Sequence, residues 1–201
     1  MTEEKNLINS NEDPIVLFGK WFEVAKQKEV NNSNAMNLST VSKNSKPSSR
    51  IVLLKSFDEK GFVFYTNTKS PKGNSIASNP YVALNFYWKN LLRQIKIEGI
   101  ATQISIEESD TYFNSRPKAS KISAWASHQS SELKSREELE KKVEEYTHKF
   151  KNKTIPRPPY WGGYKVEPLL MEFWQEMPFR LHDRVEFKKN KEGWSNRKLY
   201  P

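Results

Sequence analysis

The sequence predicts a mainly β fold with flanking helices, and three stretches carry this prediction. Residues 50–55 (RIVLLK) hold four consecutive apolar side chains between two cations, a pattern typical of a strand covered on both faces, as in a barrel or sandwich. Residues 93–103 alternate apolar and polar side chains, which predicts a strand with one buried face. Residues 132–150 instead place apolar side chains at helical spacing. We therefore expect one β core with helices packed around it.

The length of 201 residues suits one well-buried core and is small for two. Residues 1–12 are polar and without period, which predicts a flexible N-terminal tail, so residues 13–201 should form a single domain. No segment reaches the run of about 18 apolar residues that a membrane helix needs, and the first residues lack an export-signal pattern. We expect a soluble, cytoplasmic protein with no membrane partner.

Composition excludes several kinds of chemistry. The absence of cysteine rules out disulfides, thiolate nucleophiles and Cys-bearing zinc sites. The three histidines, His128, His148 and His182, lie far apart without metal-ligand spacing, so we expect no metal. The net charge of +9 attracts polyanions, and it would equally serve small phosphorylated ligands. Many lysines lie in Glu-mixed or hairpin stretches typical of solvated faces, which disfavours a nucleic-acid partner.

The first half of the chain predicts two helices among strands. Asp13 is a suitable N-cap for a helix that has Pro14 at its first position. Gly61 supplies the positive φ of a hairpin that leads into a strand over residues 62–67. Lys72 stands at the start of a short helix, where free N–H groups form an anion site; the alternative is an ordinary solvated loop. The other strands expected here cover residues 35–41, 81–88 and 93–103.

The second half predicts three helices followed by strands. Gly162 and Gly163 lie in a strand over residues 160–166 and indicate a close backbone approach or a bulge. A turn at residues 190–193 predicts a final hairpin. The expected helices cover residues 107–114, 119–127 and 132–150, and the hairpin strands cover residues 184–188 and 194–199.

Residues 171–184 (MEFWQEMPFRLHDR) combine two guanidinium groups, one imidazole and three carboxylates with large apolar side chains. Pro178 prevents a helix from running through the segment. Because Arg and Asp are rarely buried without partners, the mixture fits a lined pocket with fixed cationic donors. A charged, solvated strand end with one aromatic anchor explains the segment equally well.

Six motifs in separate segments are more specific than any single stretch. They are RIVLLK (50–55), FYTN (64–67), RQIKIEG (93–99), YFNSRPKASKISAWASHQS (112–130), WGGY (161–164) and EFWQEMPFRLHDR (172–184). Their order and spacing, from about residue 13 to residue 201, resemble the pyridoxamine 5′-phosphate oxidase family of flavin enzymes.

The resemblance implies an FMN-binding split β-barrel that works as a two-fold homodimer, with both flavin sites at the subunit interface. It also implies oxidation by O₂ at the 4′ carbon of pyridoxine 5′-phosphate or pyridoxamine 5′-phosphate. The products would be pyridoxal 5′-phosphate and hydrogen peroxide, with ammonia released from the amine. FMN would carry the redox step, so the protein would supply binding and orientation.

Carried over position by position, the resemblance implies a cofactor site and a substrate site. The flavin contacts would be Arg50, Ile51, Val52, Leu53, Leu54, Lys55, Tyr65, Thr66, Lys72, Gln94, Gln129, Ser130, Trp174 and Arg184. The substrate contacts would be Lys55, Tyr112, Arg116, Ser120, Arg180, Leu181 and His182. Arg180 and His182 would be the catalytic residues. Two roles stay open for His182, namely assistance to proton movement or a hydrogen-bonded wall.

The chain departs from the family pattern in three places. Pro71 stands where the family usually has Arg, which removes a bidentate phosphate donor. Asn32 replaces a residue that is often acidic, and the N-terminal arm lacks the usual Arg and Tyr lid residues. Two alternatives stay open. One is another flavin enzyme of this barrel family, acting on a different reduced ring; the other is a nucleic-acid-binding barrel.

Overall fold

The computed structural model describes residues 7–201. The helices in this range are α1 (Pro14–Lys28), α2 (Pro71–Ser78), α3 (Ile106–Ser115), α4 (Lys118–Ala126) and α5 (Arg136–Lys149). The strands are β1 (Ala35–Val41), β2 (Pro47–Leu53), β3 (Ser56–Asp58), β4 (Gly61–Asn67), β5 (Tyr81–Trp88), β6 (Arg93–Gln103), β7 (Trp161–Gln175), β8 (Asp183–Asn190) and β9 (Gly193–Lys198). A short 3₁₀ turn, Pro178–Arg180, precedes β8.

The strands form one antiparallel sheet in the order β2-β1-β5-β6-β7-β4-β3, with β8 and β9 added beside β7. Along one edge of β7, the first part pairs with β4 and the last part pairs with β8. Along the other edge, β7 pairs with β6 over most of its length. The expectation of a mainly β fold with flanking helices is confirmed. Among residues 7–201, none of the helices combines the length and the apolarity needed to cross a membrane.

Helix α1 covers one face of the sheet and begins as predicted. The Asp13 carboxylate accepts hydrogen bonds from the N–H groups of Ile15 and Val16 at 2.8 and 3.3 Å. Phe18 is fully buried, and its ring meets that of Phe62 edge to face at 4.9 Å, a favourable arrangement for aromatic pairs. The side chains of α1 that are buried are Pro14, Leu17, Phe18, Trp21, Phe22 and Ala25.

A second apolar cluster joins the helices of the middle segment to the start of β7. Its buried members are Phe113, Ile122, Phe150, Ile155 and Trp161. Tyr65 and Tyr112 are half-buried against this cluster, which places their rings beside the cavity described below.

The prediction that residues 50–55 are covered on both faces is wrong within this chain. β2 pairs only with β1 and is therefore an edge strand. Ile51 is 66% exposed and Leu53 is 38% exposed, so apolar side chains remain uncovered along the edge. A run of apolar residues indicates only a tendency towards burial. Whether a strand lies at the edge or in the centre of its sheet depends on the tertiary structure, which the run does not reveal.

The flexible tail expected over residues 1–12 is wrong for residues 8–10. Ile8 is buried, and its N–H donates to the Asp183 carboxylate at 2.8 Å. The Asn196 amide donates to the Ser10 carbonyl at 2.8 Å. One buried apolar side chain and two long-range hydrogen bonds attach this polar segment to β8 and β9. Residues 1–6 of the expected tail lie outside the described residues.

Candidate active site

A cavity of about 890 Å³ opens between β2, the end of β4, the start of α2, helices α3 and α4, and the loop after α4. Most of the predicted site residues line it. These are Arg50, Ile51, Val52, Leu53, Lys55, Tyr65, Thr66, Lys72, Tyr112, Arg116, Ser120, Gln129 and Ser130. The cavity wall also includes Ser48, Ser49, Pro71, Ser115, Pro117 and Trp161, for which the sequence suggested no lining role.

Arg50 contributes an oriented cation to the cavity. Its guanidinium donates to the Leu38 carbonyl at 3.1 Å, the Thr40 hydroxyl at 2.8 Å and the Ser48 hydroxyl at 2.6 Å. Burial lowers the pKa of Arg50. All three partners are neutral, so the guanidinium keeps its full positive charge for a ligand. Thr40 and Ser48 are register partners on β1 and β2, and this pairing is what places both hydroxyls beside Arg50.

Lys72 is a buried cation at the start of α2. It is 7% exposed, and its Nζ donates to the Gln129 amide oxygen at 2.8 Å and to the Ser70 hydroxyl at 3.1 Å. The Thr66 hydroxyl donates to the same amide oxygen at 3.1 Å. Burial lowers the pKa of Lys72, and the nearby charge of Arg50 lowers it further.

The surroundings of these two cations fit an anion. Within residues 7–201, neither Arg50 nor Lys72 forms an ion pair with a carboxylate. Two like charges held close together without a counter-ion destabilise each other, and a bound anion would relieve this. The N-terminus of α2 adds free N–H groups, although Pro71 at its first position contributes none.

Arg116 provides a further donor beside a cluster of three nearly parallel aromatic rings, Tyr65, Tyr112 and Trp161. The rings of Tyr65 and Tyr112 stack at 4.0 Å, and that of Tyr65 stacks on Trp161 at 5.1 Å. The Arg116 guanidinium lies 4.9 Å from the centre of the Trp161 ring. Its Nη1 is buried and has no hydrogen-bond partner among the described residues. Because buried donors are rarely left unpaired, this atom indicates an acceptor supplied by a ligand.

Gly163 explains how the Tyr65 ring reaches its place in the aromatic cluster. The two residues are register partners on β7 and β4. A Cβ atom on Gly163 would lie 2.8 Å from Tyr65 Cε1 and 2.5 Å from Ile104 Cδ1, whereas a Cβ on Gly162 would make only ordinary contacts of 3.4 Å or more. A close approach is thus found at Gly163, but it is made by two side chains and not by another backbone.

We expect Gly163→Ala to lower the free energy of unfolding by about 1–3 kcal/mol, because the added methyl group displaces a ring that packs against both Tyr112 and Trp161. Gly162→Ala is the matched control and should change the free energy by less than about 1 kcal/mol. Urea unfolding of both variants checks this. Equal effects at the two positions would mean that the Tyr65 ring adjusts freely.

Seven predicted site residues do not line the cavity. Leu54 is 3% exposed and belongs to the main core, so its side chain faces away from the cavity. The remaining six lie near the far end of β7, on strands β6 to β8 and the loop before β8. They are Gln94, Trp174, Arg180, Leu181, His182 and Arg184.

Register brings three of the six side by side. Trp174 is the Cα partner of both Gln94 and Arg184. The Arg184 guanidinium donates twice to one oxygen of the Glu172 carboxylate, at 2.6 and 2.8 Å, and once to the Tyr200 carbonyl at 2.9 Å. Glu172 is buried, so Arg184 is held in a fixed orientation.

Sequence reasoning missed the residues that fix Arg184. The other oxygen of the Glu172 carboxylate pairs with Lys96 at 3.1 Å, so the buried carboxylate is shared between two partly exposed cations. The sequence contained a signal for these two residues, because Lys96 and Glu172 both belong to the six motifs. Their pairing depends on the register between β6 and β7, which the motifs do not give.

The loop before β8 carries the predicted catalytic residues. Arg180 and Leu181 are exposed. The imidazole of His182 packs on Trp174 with ring centres 4.6 Å apart, and its Nδ1 accepts a hydrogen bond from the Met177 N–H at 3.2 Å. The interpretation of residues 171–184 as one lined pocket is therefore wrong within a single chain, because Arg180 points to the surface while Glu172 and Asp183 are buried.

Among the described residues, no group of His, Cys, Asp and Glu is arranged to hold a metal ion. The donors instead fit phosphorylated ligands. Arg50 and Lys72 form one cationic region, and the unpaired Arg116 donor forms another next to the aromatic cluster. These groups can bind and orient a flat, phosphorylated ring.

The fold agrees with that of known split-barrel proteins. One solved structure, an FMN-binding protein related to pyridoxamine 5′-phosphate oxidase from Nostoc punctiforme, superposes with a TM-score of 0.75 at 17% identity, covering 94% of this chain and 99% of that one. A second, PhzG from Burkholderia lata in complex with tetrahydrophenazine-1-carboxylic acid, superposes with a TM-score of 0.90 at 31% identity, covering 100% and 98%. The fold and the cationic cavity together define a split β-barrel protein.

Sequence comparisons identify the family. Residues 23–150 match the model of pyridoxamine 5′-phosphate oxidase, and residues 161–201 match that of the pyridoxine 5′-phosphate oxidase C-terminal dimerisation region. A pyridoxine/pyridoxamine 5′-phosphate oxidase of Granulibacter bethesdensis is 51% identical, covering 94% of this chain and 92% of that protein. One from Caulobacter vibrioides is 49% identical, covering 96% and 86%.

The chain therefore belongs to the pyridoxamine 5′-phosphate oxidase family. The expectations of an oxidoreductase, of FMN as its cofactor and of a homodimer are confirmed at the level of this family.

Proposed function

We propose that this protein oxidises pyridoxamine 5′-phosphate and pyridoxine 5′-phosphate with O₂ to pyridoxal 5′-phosphate, releasing hydrogen peroxide and, from the amine, ammonia. A cytoplasmic location is part of the proposal. The observation that supports the proposed reaction is the cavity. Arg50 and Lys72 form one region of it that can bind an anion, and Arg116 forms a second. The reaction needs two phosphates in one cavity, one on the cofactor and one on the substrate.

The FMN phosphate would lie between Arg50 and Lys72, close to the N-terminus of α2. Both side chains are already oriented by neutral partners, so little conformational entropy is lost when the anion binds. Gln129 accepts hydrogen bonds from Lys72 and Thr66, which fixes the loop after α4 against this region.

The substrate phosphate would bind to Arg116 with Lys55, Tyr112 and Ser120. Two cations and two hydroxyls suit a dianionic monoester, and the buried Nη1 of Arg116 gains the acceptor it lacks. Trp161 holds the guanidinium plane from behind. When bound, FMN supplies the two-electron acceptor for the 4′ carbon, and its reoxidation by O₂ yields the peroxide.

The six predicted residues at the far end of β7 would complete the site of a partner subunit. Gly163, beside the cavity, and Trp174 are eleven residues apart on the same strand, which is about 35 Å at the usual rise per residue. One chain therefore offers two incomplete sets of contacts. In a two-fold dimer each set is completed by the other chain, and the uncovered Ile51 and Leu53 of β2 would be buried at the interface.

A second candidate function is supported by the similarity to PhzG, whose structure holds a tetrahydrophenazine. An enzyme of that type would act on a different reduced ring, as the departure at Pro71 also favours. Arg116 does not separate the two functions, because the carboxylate of such a ring is also an acceptor for Nη1. The surrounding Lys55, Tyr112 and Ser120 argue for a phosphorylated substrate instead, since two cations and two hydroxyls suit a dianionic phosphate.

The test begins with the cofactor released from purified protein, which should be FMN. Peroxide release is then measured with pyridoxine 5′-phosphate, pyridoxamine 5′-phosphate and a reduced phenazine carboxylate. Turnover of the phosphorylated substrates supports the proposal. Turnover of the phenazine alone favours the second function, and FMN-loaded protein that turns over neither phosphorylated substrate would contradict the first.

Pro71→Arg should tighten FMN binding, because it restores a bidentate donor next to Lys72. One added charge-assisted hydrogen bond is worth roughly 1.5–3 kcal/mol, which is about a 10- to 100-fold decrease in Kd. Titration of apo-protein with FMN measures the change, and Pro71→Ala serves as the control for the loss of the ring. An unchanged Kd in the Arg variant would mean that the existing donors already saturate the phosphate.

A further inference from the structure

The loop formed by residues 177–182, between β7 and β8, has an unusual backbone. Phe179 and Arg180 are consecutive residues with positive φ, at 58° and 63°. Residues other than glycine rarely adopt this left-handed backbone conformation, and they do so where surrounding contacts enforce it. Phe179 is 92% exposed, so the packing of its own ring does not hold it there. The restraint must come from elsewhere in the loop.

Both ends of the 177–182 loop are fixed to neighbouring elements. Before it, the Glu176 N–H donates to the Leu92 carbonyl at 2.9 Å. After it, the buried Asp183 carboxylate accepts from the Ile8 N–H at 2.8 Å and from Lys198 at 3.1 Å. The ends are thus held in place, and the shape of the loop depends on the bonds between them.

Two hydrogen bonds among the described residues close the loop. The Leu181 N–H donates to the Pro178 carbonyl at 3.1 Å and closes the turn whose two central residues, Phe179 and Arg180, have positive φ. The Met177 N–H donates to Nδ1 of His182 at 3.2 Å, which joins the first residue of the loop to the last. The imidazole is held in place by its contact with the Trp174 ring.

The second of these bonds determines the state of the imidazole. A ring nitrogen that accepts a hydrogen bond from a backbone N–H carries no proton of its own. His182 is therefore in the tautomer with its proton on Nε2, and this Nε2–H is a donor. A neutral imidazole in this state cannot accept a proton through Nδ1 without losing the bond that closes the loop.

We propose that His182 is a positioning residue for Arg180: its Nδ1 closes the 177–182 loop and so maintains the left-handed turn that presents the guanidinium. This inference rests on the proposed function, in which Arg180 lies over the substrate ring. It separates the two roles that the sequence left open for His182. The imidazole orients another residue through Nδ1, and proton transfer is not its contribution.

Two amide substitutions distinguish the roles. In His182→Asn the amide oxygen lies near the position of Nδ1 and can still accept from the Met177 N–H. In His182→Gln the amide lies near the position of Nε2, and the loop-closing acceptor is lost. Neither amide titrates near neutral pH, so neither can transfer a proton as an imidazole does.

We expect the kcat of His182→Gln to be about tenfold lower than that of His182→Asn, because only asparagine keeps the loop-closing acceptor and small misplacements of an orienting group are costly. FMN content is measured in each preparation to show that both variants fold and bind the cofactor. Equal large losses in the two variants would overturn the proposal and indicate proton transfer. Wild-type rates in both would overturn it as well.

A second measurement does not depend on turnover. In wild-type protein labelled with ¹⁵N-histidine, the resonances missing from His182→Asn belong to His182. At about pH 8, where a free imidazole is neutral, they should report an unprotonated Nδ1 and a protonated Nε2. The opposite tautomer would overturn the proposal. If the wild type fails to oxidise the phosphorylated substrates, the proposed function fails, while a protonated Nδ1 would still show that the loop is not closed in this way.

Discussion

Arg116→Ala should raise the KM for a phosphorylated pyridine substrate by about 10- to 100-fold, while FMN retention stays close to wild type. The guanidinium is held against Trp161, and burial lowers its pKa. Its buried Nη1 has no partner among residues 7–201, so the free energy of that hydrogen bond becomes available only when an anion binds. Alanine removes the donor without disturbing an existing hydrogen bond.

Two controls accompany this variant. Arg136→Ala makes the same change at a site on α5 whose side chain is 75% exposed and paired with Glu140, so it tests the loss of one positive charge alone. Arg116→Lys keeps the charge and loses the fork of donors, and its KM should fall between those of wild type and alanine. Steady-state kinetics and released FMN are measured together. A parallel loss of FMN and of substrate affinity in Arg116→Ala would place this residue in the cofactor site.

The sequence predicted best those elements whose pattern is local. β5 and β6 have the same bounds in the structure as in the prediction, because alternation along a strand determines which face is buried. The exposure of β2 was mispredicted, because its four apolar residues reveal nothing about whether a neighbouring strand is present. The anchoring of Ile8 was also missed, since its acceptor, Asp183, lies 175 positions away.

The cavity residues were predictable from their motifs, whereas their supports were not. Thr40, which orients Arg50, and Glu172, which orients Arg184, are ordinary polar residues in strand patterns. Their importance depends on cross-strand register, which the sequence does not state. The sequence also did not reveal that the side chain of Leu54, which follows Leu53 in one motif, lies in the core. The division of the predicted site into two groups follows from the length of β7, which was predicted only in part.

Lys72→Met should weaken FMN binding by about 10- to 100-fold, since a buried charge-assisted contact to phosphate is lost. The same variant should leave the apo-protein at least as stable as wild type. Lys72 is 7% exposed, and both burial and Arg50 lower its pKa, so its charge destabilises the fold when no anion is bound. Methionine fills similar space without that charge.

Lys69→Met is the matched control, because Lys69 is exposed three residues earlier and its replacement removes the same charge. FMN titration and urea unfolding of the apo-proteins supply the two measurements. If Lys72→Met destabilised the apo-protein and left the Kd unchanged, Lys72 would be a structural residue that bonds Gln129 and Ser70, and the assignment of the phosphate site would be wrong.

The pH dependence gives the same assignment an independent test. Because the pKa of Lys72 is lower in the folded than in the unfolded protein, the unfolded state binds more protons between the lowered value and the usual 10.5. The stability of the apo-protein should therefore rise with pH across this window. FMN affinity should fall across the same window, because the ammonium loses its charge while the phosphate, with a second pKa near roughly 6, stays a dianion. In Lys72→Met both slopes should be reduced. An alkaline loss of FMN affinity as steep as in wild type would assign the titration to another group.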